Sequence, residues 1–171
     1  MRHLLHFTGR PIPRLGAGWP WVLILLMGFS PALLAAELKV GDTLPALAAK
    51  DQFGKDFTTH PGLHYLILAF EMDASKQAIT QLNELGTPWL DQQHAAYVVD
   101  LHRMPSFARL FALPKMQKYP TRMVLCEDEK PLLPYPRKPA MLTILKLTDD
   151  QKISAIQYWN PATEKVADLL K

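Results

Sequence analysis

Apolar residues along the chain follow two rhythms, and the alternation between them predicts the element order. "HYLILAF" (His64 to Phe70) is a continuous apolar run bounded by turn residues, the pattern of a strand buried on both faces. Ala74, Ala78, Ile79, Leu82 and Leu85 then recur at helical spacing, with Asp73 or Ser75 as the expected N-cap and Gly86-Thr87-Pro88 as the stop. "AAYVVDL" (Ala95 to Leu101) reads as a second buried strand, and "PSFARLFAL" (Pro105 to Leu113) as a short amphipathic helix with proline in its first turn. "TRMVLCED" is a third strand closed by an acidic turn. "AMLTILKL" and "KISAIQYW", split by Thr148-Asp149-Asp150-Gln151, form an antiparallel hairpin, and "PATEKVADLL" closes as a helix from Pro161. Upstream, Gly54 in "DQFGK" supplies a tight turn between two short strands.

Hairpin, β, α, β, α, β, hairpin, α is thus the predicted order. Right-handed crossovers make the middle strands parallel, and the last hairpin adds antiparallel strands. The expectation is an α/β domain with a mixed central sheet, helices on both faces, an N-terminal β-hairpin and a C-terminal helix.

The first 36 residues do not share these rhythms. They carry Arg2, Arg10 and Arg14, no acid, the apolar run Trp21 to Leu34, and then Ala35-Ala36. A basic opening, an apolar stretch of that length and small residues at its end predict a secretory signal peptide over residues 1–36, hence a periplasmic domain over 37–171. Leu34 fits poorly at the minus-three position of a cut after Ala36, so an uncleaved anchor is the alternative; otherwise no stable membrane span is expected. The formal net charge of +3 comes from 19 Lys+Arg against 16 Asp+Glu; without the three leader arginines the balance is neutral. Nucleic acid is therefore not an expected partner.

Candidate chemistry is sparse. Cys126 is the single cysteine, so an internal disulfide is excluded. Its place in an apolar run predicts an inert buried thiol, with an intermolecular disulfide as the alternative. Glu71, Asp73 and Ser75 follow a buried strand, where open α/β sheets place ligands; capping by Asp73 with Glu71 facing solvent competes with ligand binding. Asp100, His102 and Arg103 end the neighbouring strand and form a candidate binding surface beside them. Histidines and methionines without His-x-His or Met-x-x-Met spacing make copper binding a weaker reading, and a cation site through Glu71, Asp73 and His102 is the metal alternative. No G-x-S-x-G or G-x-G-x-x-G occurs in the mature part, so neither a serine hydrolase nor a dinucleotide cofactor is expected.

With Val40-Gly41-Asp42, Pro45 and Gly54-Lys55 at the front and "KPAMLTILKL" near the end, this order resembles the thioredoxin-like superfamily, in its peroxiredoxin and periplasmic thiol-reductase branch. The resemblance implies a three-layer sandwich and a cis-proline at Pro139. It also implies a reactive thiolate at the start of the helix after Phe70. Aligned from Phe70, Ser75 falls near the first family cysteine and Ala78 near the second, so the thiol-disulfide site is degenerate. "FEMDASK", "AYVVDLHRMPSFARLFALPK" and "YPTRMVLCEDE" are also similar to small exported proteobacterial proteins often labelled FAD/FMN-containing dehydrogenases. The residues give that label no support, and no cofactor is expected. The functional expectation is a non-catalytic binding or accessory module for a periplasmic protein or small ligand, with redox action through Cys126 as the alternative.

Overall fold

The computed structural model describes residues 36–170. Apart from Ala36, the leader lies outside them. Chain order is β1 (Ala48–Asp51), β2 (Asp56–Thr58), β3 (Tyr65–Ala69), α1 (Met72–Leu85), α2 (Trp89–Gln92), β4 (Ala95–Asp100), α3 (Ser106–Met116), β5 (Val124–Cys126), β6 (Leu142–Leu147), β7 (Ile153–Trp159) and α4 (Val166–Leu169). The strands form one mixed sheet in the order β2-β1-β5-β4-β3-β6-β7. β3, β4 and β5 are parallel, and the other pairings are antiparallel. All five residues of β3 are buried, as its unbroken apolar run requires of a central strand.

Side chains alternate between two cores. Tyr65, Ile67, Ala69, Tyr97, Val99 and Ile144 face a cluster completed by α1, α2 and α4 through Ala78, Ile79, Leu82, Leu90, Val166 and Leu170. Leu66, Leu68, Val98, Val124, Cys126 and Leu145 face the other. That second face is covered by Leu44, Leu47, Leu63, Leu132 and Tyr135, from the leading segment, the 59–63 connection and a 3-10 turn at Lys130–Leu132. The expectation of helices on both faces is thereby corrected. Crossovers β3-α1-β4 and β4-α3-β5 step in one direction along the sheet, and a constant hand then puts both helices on one side.

Three local features depart from the sequence reading. The N-cap of α1 is Glu71, in extended conformation (φ −123°), so neither Asp73 nor Ser75 caps it. The C-terminal stop is as expected: Gly86 takes φ 86°, which a side chain would resist. The second departure concerns the short helices: α2 has four residues, too few to show a period, and the closing helix begins at Val166 and not at Pro161, because Asn160 to Glu164 form a turn in which Glu164 accepts the Asn160 N–H at 2.8 Å.

The third departure concerns Pro139. No peptide bond among the described residues is cis, so Pro139 is trans. It sits second in a four-residue turn closed by the Met141 N–H donating to Lys138 O at 3.3 Å, and Ala140 follows at φ 57°. A trans proline presets φ for that second position, with positive φ passed to the next residue; a cis proline would have to stand third.

Candidate functional site

The C-terminal ends of β3 and β4 and the start of α1 meet where the resemblance locates reactive chemistry. A thiolate there would draw on the first turn of the helix, where backbone N–H groups lack intrahelical partners. Glu71 occupies that position. One carboxylate oxygen accepts the Ala140 N–H at 3.2 Å, so the Pro139 turn does approach the helix start although its proline is trans.

Ser75 stands one turn further in. Its backbone N–H already donates to Glu71 O at 3.0 Å, leaving no free amide to stabilise an anion on its side chain. Its hydroxyl shares a 2.7 Å hydrogen bond with the phenol of Tyr97, which burial holds in the neutral form. Ser75 therefore lies about one turn inside α1, and the residue at the helix N-cap is Glu71. Asp73 is exposed and pairs with Lys76 at 3.2 Å, a surface contact within the first turn.

The other candidates divide between the two sheet faces. Asp100 and Cys126 are register partners on β4 and β5. One oxygen of Asp100 accepts the His102 N–H at 2.9 Å, while the other is buried and has no partner among the described residues. Cys126 is 3 % exposed. Burial, and then the carboxylates of Asp100 and Asp128, push its thiol up to about 11. Such a thiol is neutral near pH 7, and little of it meets solvent. His102 turns away to Glu129, 3.4 Å from its carboxylate. Glu71, Asp73 and His102 thus have three separate partners, and among the described residues no group of three metal-ligating side chains is assembled.

What the structure does bring together is a cleft. Glu71, Ser75 and Arg103 line a cavity of about 450 Å³ between α1 and α3, floored by Val99 and Met123 of the sheet side. Its far wall was not foreseen. α3 presents Ala108 and Ala112 to the cleft, while Phe107, Leu110 and Phe111 are 70 %, 72 % and 79 % exposed. No residue of α3 is fully buried. The small side chains of Ala108 and Ala112 leave the gap beside the sheet unfilled. The signal was present in "FARLFALP", apolar nearly all round a helix that cannot be buried all round. Arg109 steadies the helix start, donating to the carbonyls of Leu101 and Met104 at 2.9 and 3.0 Å and pairing with Glu127 at 3.1 Å.

Comparison with known proteins agrees with this architecture and goes no further. No protein-family model matches the sequence, and no curated protein matches it. Among solved structures, a peroxiredoxin-like protein from Aquifex aeolicus superposes with TM-score 0.53 at 11 % identity, over 80 % of this chain and 86 % of that one. The thioredoxin domain of a thiol-disulfide oxidoreductase from Bacteroides vulgatus gives 0.51 at 12 % identity, over 79 % and 100 %. A thio-disulfide isomerase from Thermus thermophilus gives 0.51 at 17 % identity, over 78 % and 95 %. The chain has a thioredoxin-like fold.

Proposed function

We propose that this thioredoxin-like chain is a binding module without thiol-disulfide activity, exported to the periplasm, whose ligand or partner occupies the cleft beside the degenerate redox position. The observation that carries the reading is the substitution of chemistry by space. A carboxylate, Glu71, stands at the N-cap where the neighbouring folds would use a thiolate, and a 450 Å³ apolar cleft opens next to it. That volume lies within the usual range for small-molecule sites. The basic and then apolar opening of the chain supports export.

Redox action through Cys126 has the opposite support, since a thiol 3 % exposed and raised to about 11 is neither reachable nor ionised. The deciding experiment is insulin reduction and dithiol oxidation with the full chain and with Cys126→Ala. No turnover above buffer is expected from either. Turnover lost in Cys126→Ala would overturn the reading in favour of the lone thiol, and turnover retained in it would overturn it in favour of an unassigned group.

A further inference from the structure

The cleft has a chemical character that narrows its ligand. Its walls are carbon-rich: Ile79 from α1, Val99 from β4, Met104 before α3, and Ala112 and Met116 from α3. Ser75, the hydroxyl on the α1 wall, is committed to Tyr97. An apolar body is therefore favoured inside, because a polar one would lose its hydration at the Ile79 and Val99 walls with little in return.

The cavity also has a cost that packing does not explain. A helix that turns Ala108 and Ala112 to the cleft, with Phe111 lining it only from an exposed position and Phe107 and Leu110 exposed outside it, leaves space that ordinary packing would fill with large side chains. Departures of this kind from local design rules concentrate at functional sites.

Between Asp100 and Glu127 the chain has no acidic residue but five Lys and Arg: Arg103, Arg109, Lys115, Lys118 and Arg122. Arg109 is held by Glu127 and Arg122 by Asp51. Arg103 and Lys115 both line the cleft, and neither side chain has an ion pair or hydrogen bond with another described residue. Lys76 also lines it but is paired with Asp73. Against these stand two acids that also line the cleft: Glu71, whose carboxylate is engaged by the Ala140 N–H, and Asp100, whose carboxylate accepts the His102 N–H and acts on the Cys126 thiol.

Resting on the binding-module reading, we propose that the cleft between α1 and α3 takes an anionic amphiphile: an alkyl chain against Ile79, Val99 and Ala112, and a carboxylate or phosphate head at Arg103 or Lys115, the cations that line it at the two ends of α3. A free fatty acid and an anionic membrane lipid share that chemistry. A volume of about 450 Å³ is roughly that of a single helical turn with its side chains, so it suits an alkyl chain and not an acidic amphipathic peptide of several turns.

The test titrates the full chain with dodecanoate below its micelle threshold, with dodecanol, with an acidic amphipathic peptide, and with vesicles of phosphatidylcholine alone or mixed with phosphatidylglycerol. Each probe is repeated on Ala112→Phe, which fills the cleft, and on Arg103→Glu/Lys115→Glu, which reverses the mouth. The variants share every other apolar segment of the chain, so differences report the cleft. Dodecanoate is expected to bind about tenfold tighter than dodecanol. The double variant should abolish that preference, Ala112→Phe should weaken both ligands, and Glu71→Gln should tighten dodecanoate. Binding of the free acid assigns a monomeric ligand. Binding of phosphatidylglycerol vesicles in addition, lost in both variants, extends the assignment to a bilayer lipid, whereas binding confined to vesicles, with none of dodecanoate, would overturn it. Equal affinity for dodecanoate and dodecanol, unchanged binding by Ala112→Phe with fold retained by circular dichroism, or binding of the peptide alone would overturn the proposal. Any of these leaves the thiol assay standing, and a positive thiol assay leaves these titrations readable.

Discussion

Cys126 shows what a single side chain can and cannot report. Its apolar flanks in "RMVLCED" are enough to expect burial, and it is buried. Its ionisation also depends on Asp100, set opposite by the β4–β5 register, and on Asp128. Native protein is expected to resist a thiol reagent near pH 7 and to react fully on adding denaturant; stoichiometric reaction within seconds in the native state would contradict the burial. Glu71 and Ser75 give the complementary case. A cysteine placed at Glu71 would meet the free first-turn amides of α1, whereas one at Ser75 would face Tyr97 from the second turn. Glu71→Cys is therefore expected to titrate below Ser75→Cys, measured by thiolate absorbance against pH; the reverse order would place the reactive position at Ser75 after all. From sequence the two were indistinguishable, because a helix start is uncertain by a residue or two and a shift of one turn reverses the electrostatics.

At the scale of elements, α1 and α3 contrast. α1 buries Ala74, Ala78, Ile79 and Leu82 on one stripe, the periodicity from which it was predicted. Leu82→Ala should cost about 2–5 kcal/mol, since a cavity is left in a close-packed core. α3 buries none of its residues fully, and Leu110 is 72 % exposed. Leu110→Ser should then lie within about 0.5 kcal/mol of the parent, as surface changes generally do. Urea denaturation of the two variants checks both, and a large loss for Leu110→Ser would mean that this face is covered in solution. The β1–β2 hairpin illustrates a different bond. Asp51 accepts the N–H groups of Phe53 and Lys55 at 2.9 Å each and pairs with Arg122 at 3.0 Å, and Gln52 bridges Thr121 O and the Met123 N–H. "DQFGK" marked a turn, but the attachment of that turn to the strand seventy residues later lay outside any local pattern.

For the whole molecule, that same carboxylate carries a pH dependence. Burial raises the pKa of Asp51, but the Lys55 and Phe53 amides and the Arg122 guanidinium outweigh it, so the folded value lies below the ordinary one. Its contribution to stability is accordingly present above the unfolded carboxylate value of about 4 and is lost as the pH falls through the lower folded value. Arg122→Ala should narrow the difference in urea midpoint between pH 7 and pH 3; an unchanged difference would assign the acid sensitivity elsewhere. By itself the sequence determined the seven strands, α1 and α3, their order, the mixed sheet and the burial of Cys126, because apolar periodicity and turn residues are local quantities. Tertiary structure alone decided that the helices share one face, that Pro139 enters a turn in trans to reach Glu71, and that α3 leaves a cleft beside the sheet. Each depends on which distant surfaces meet and how completely they fill space, and no stretch of one strand or helix encodes its partner's shape.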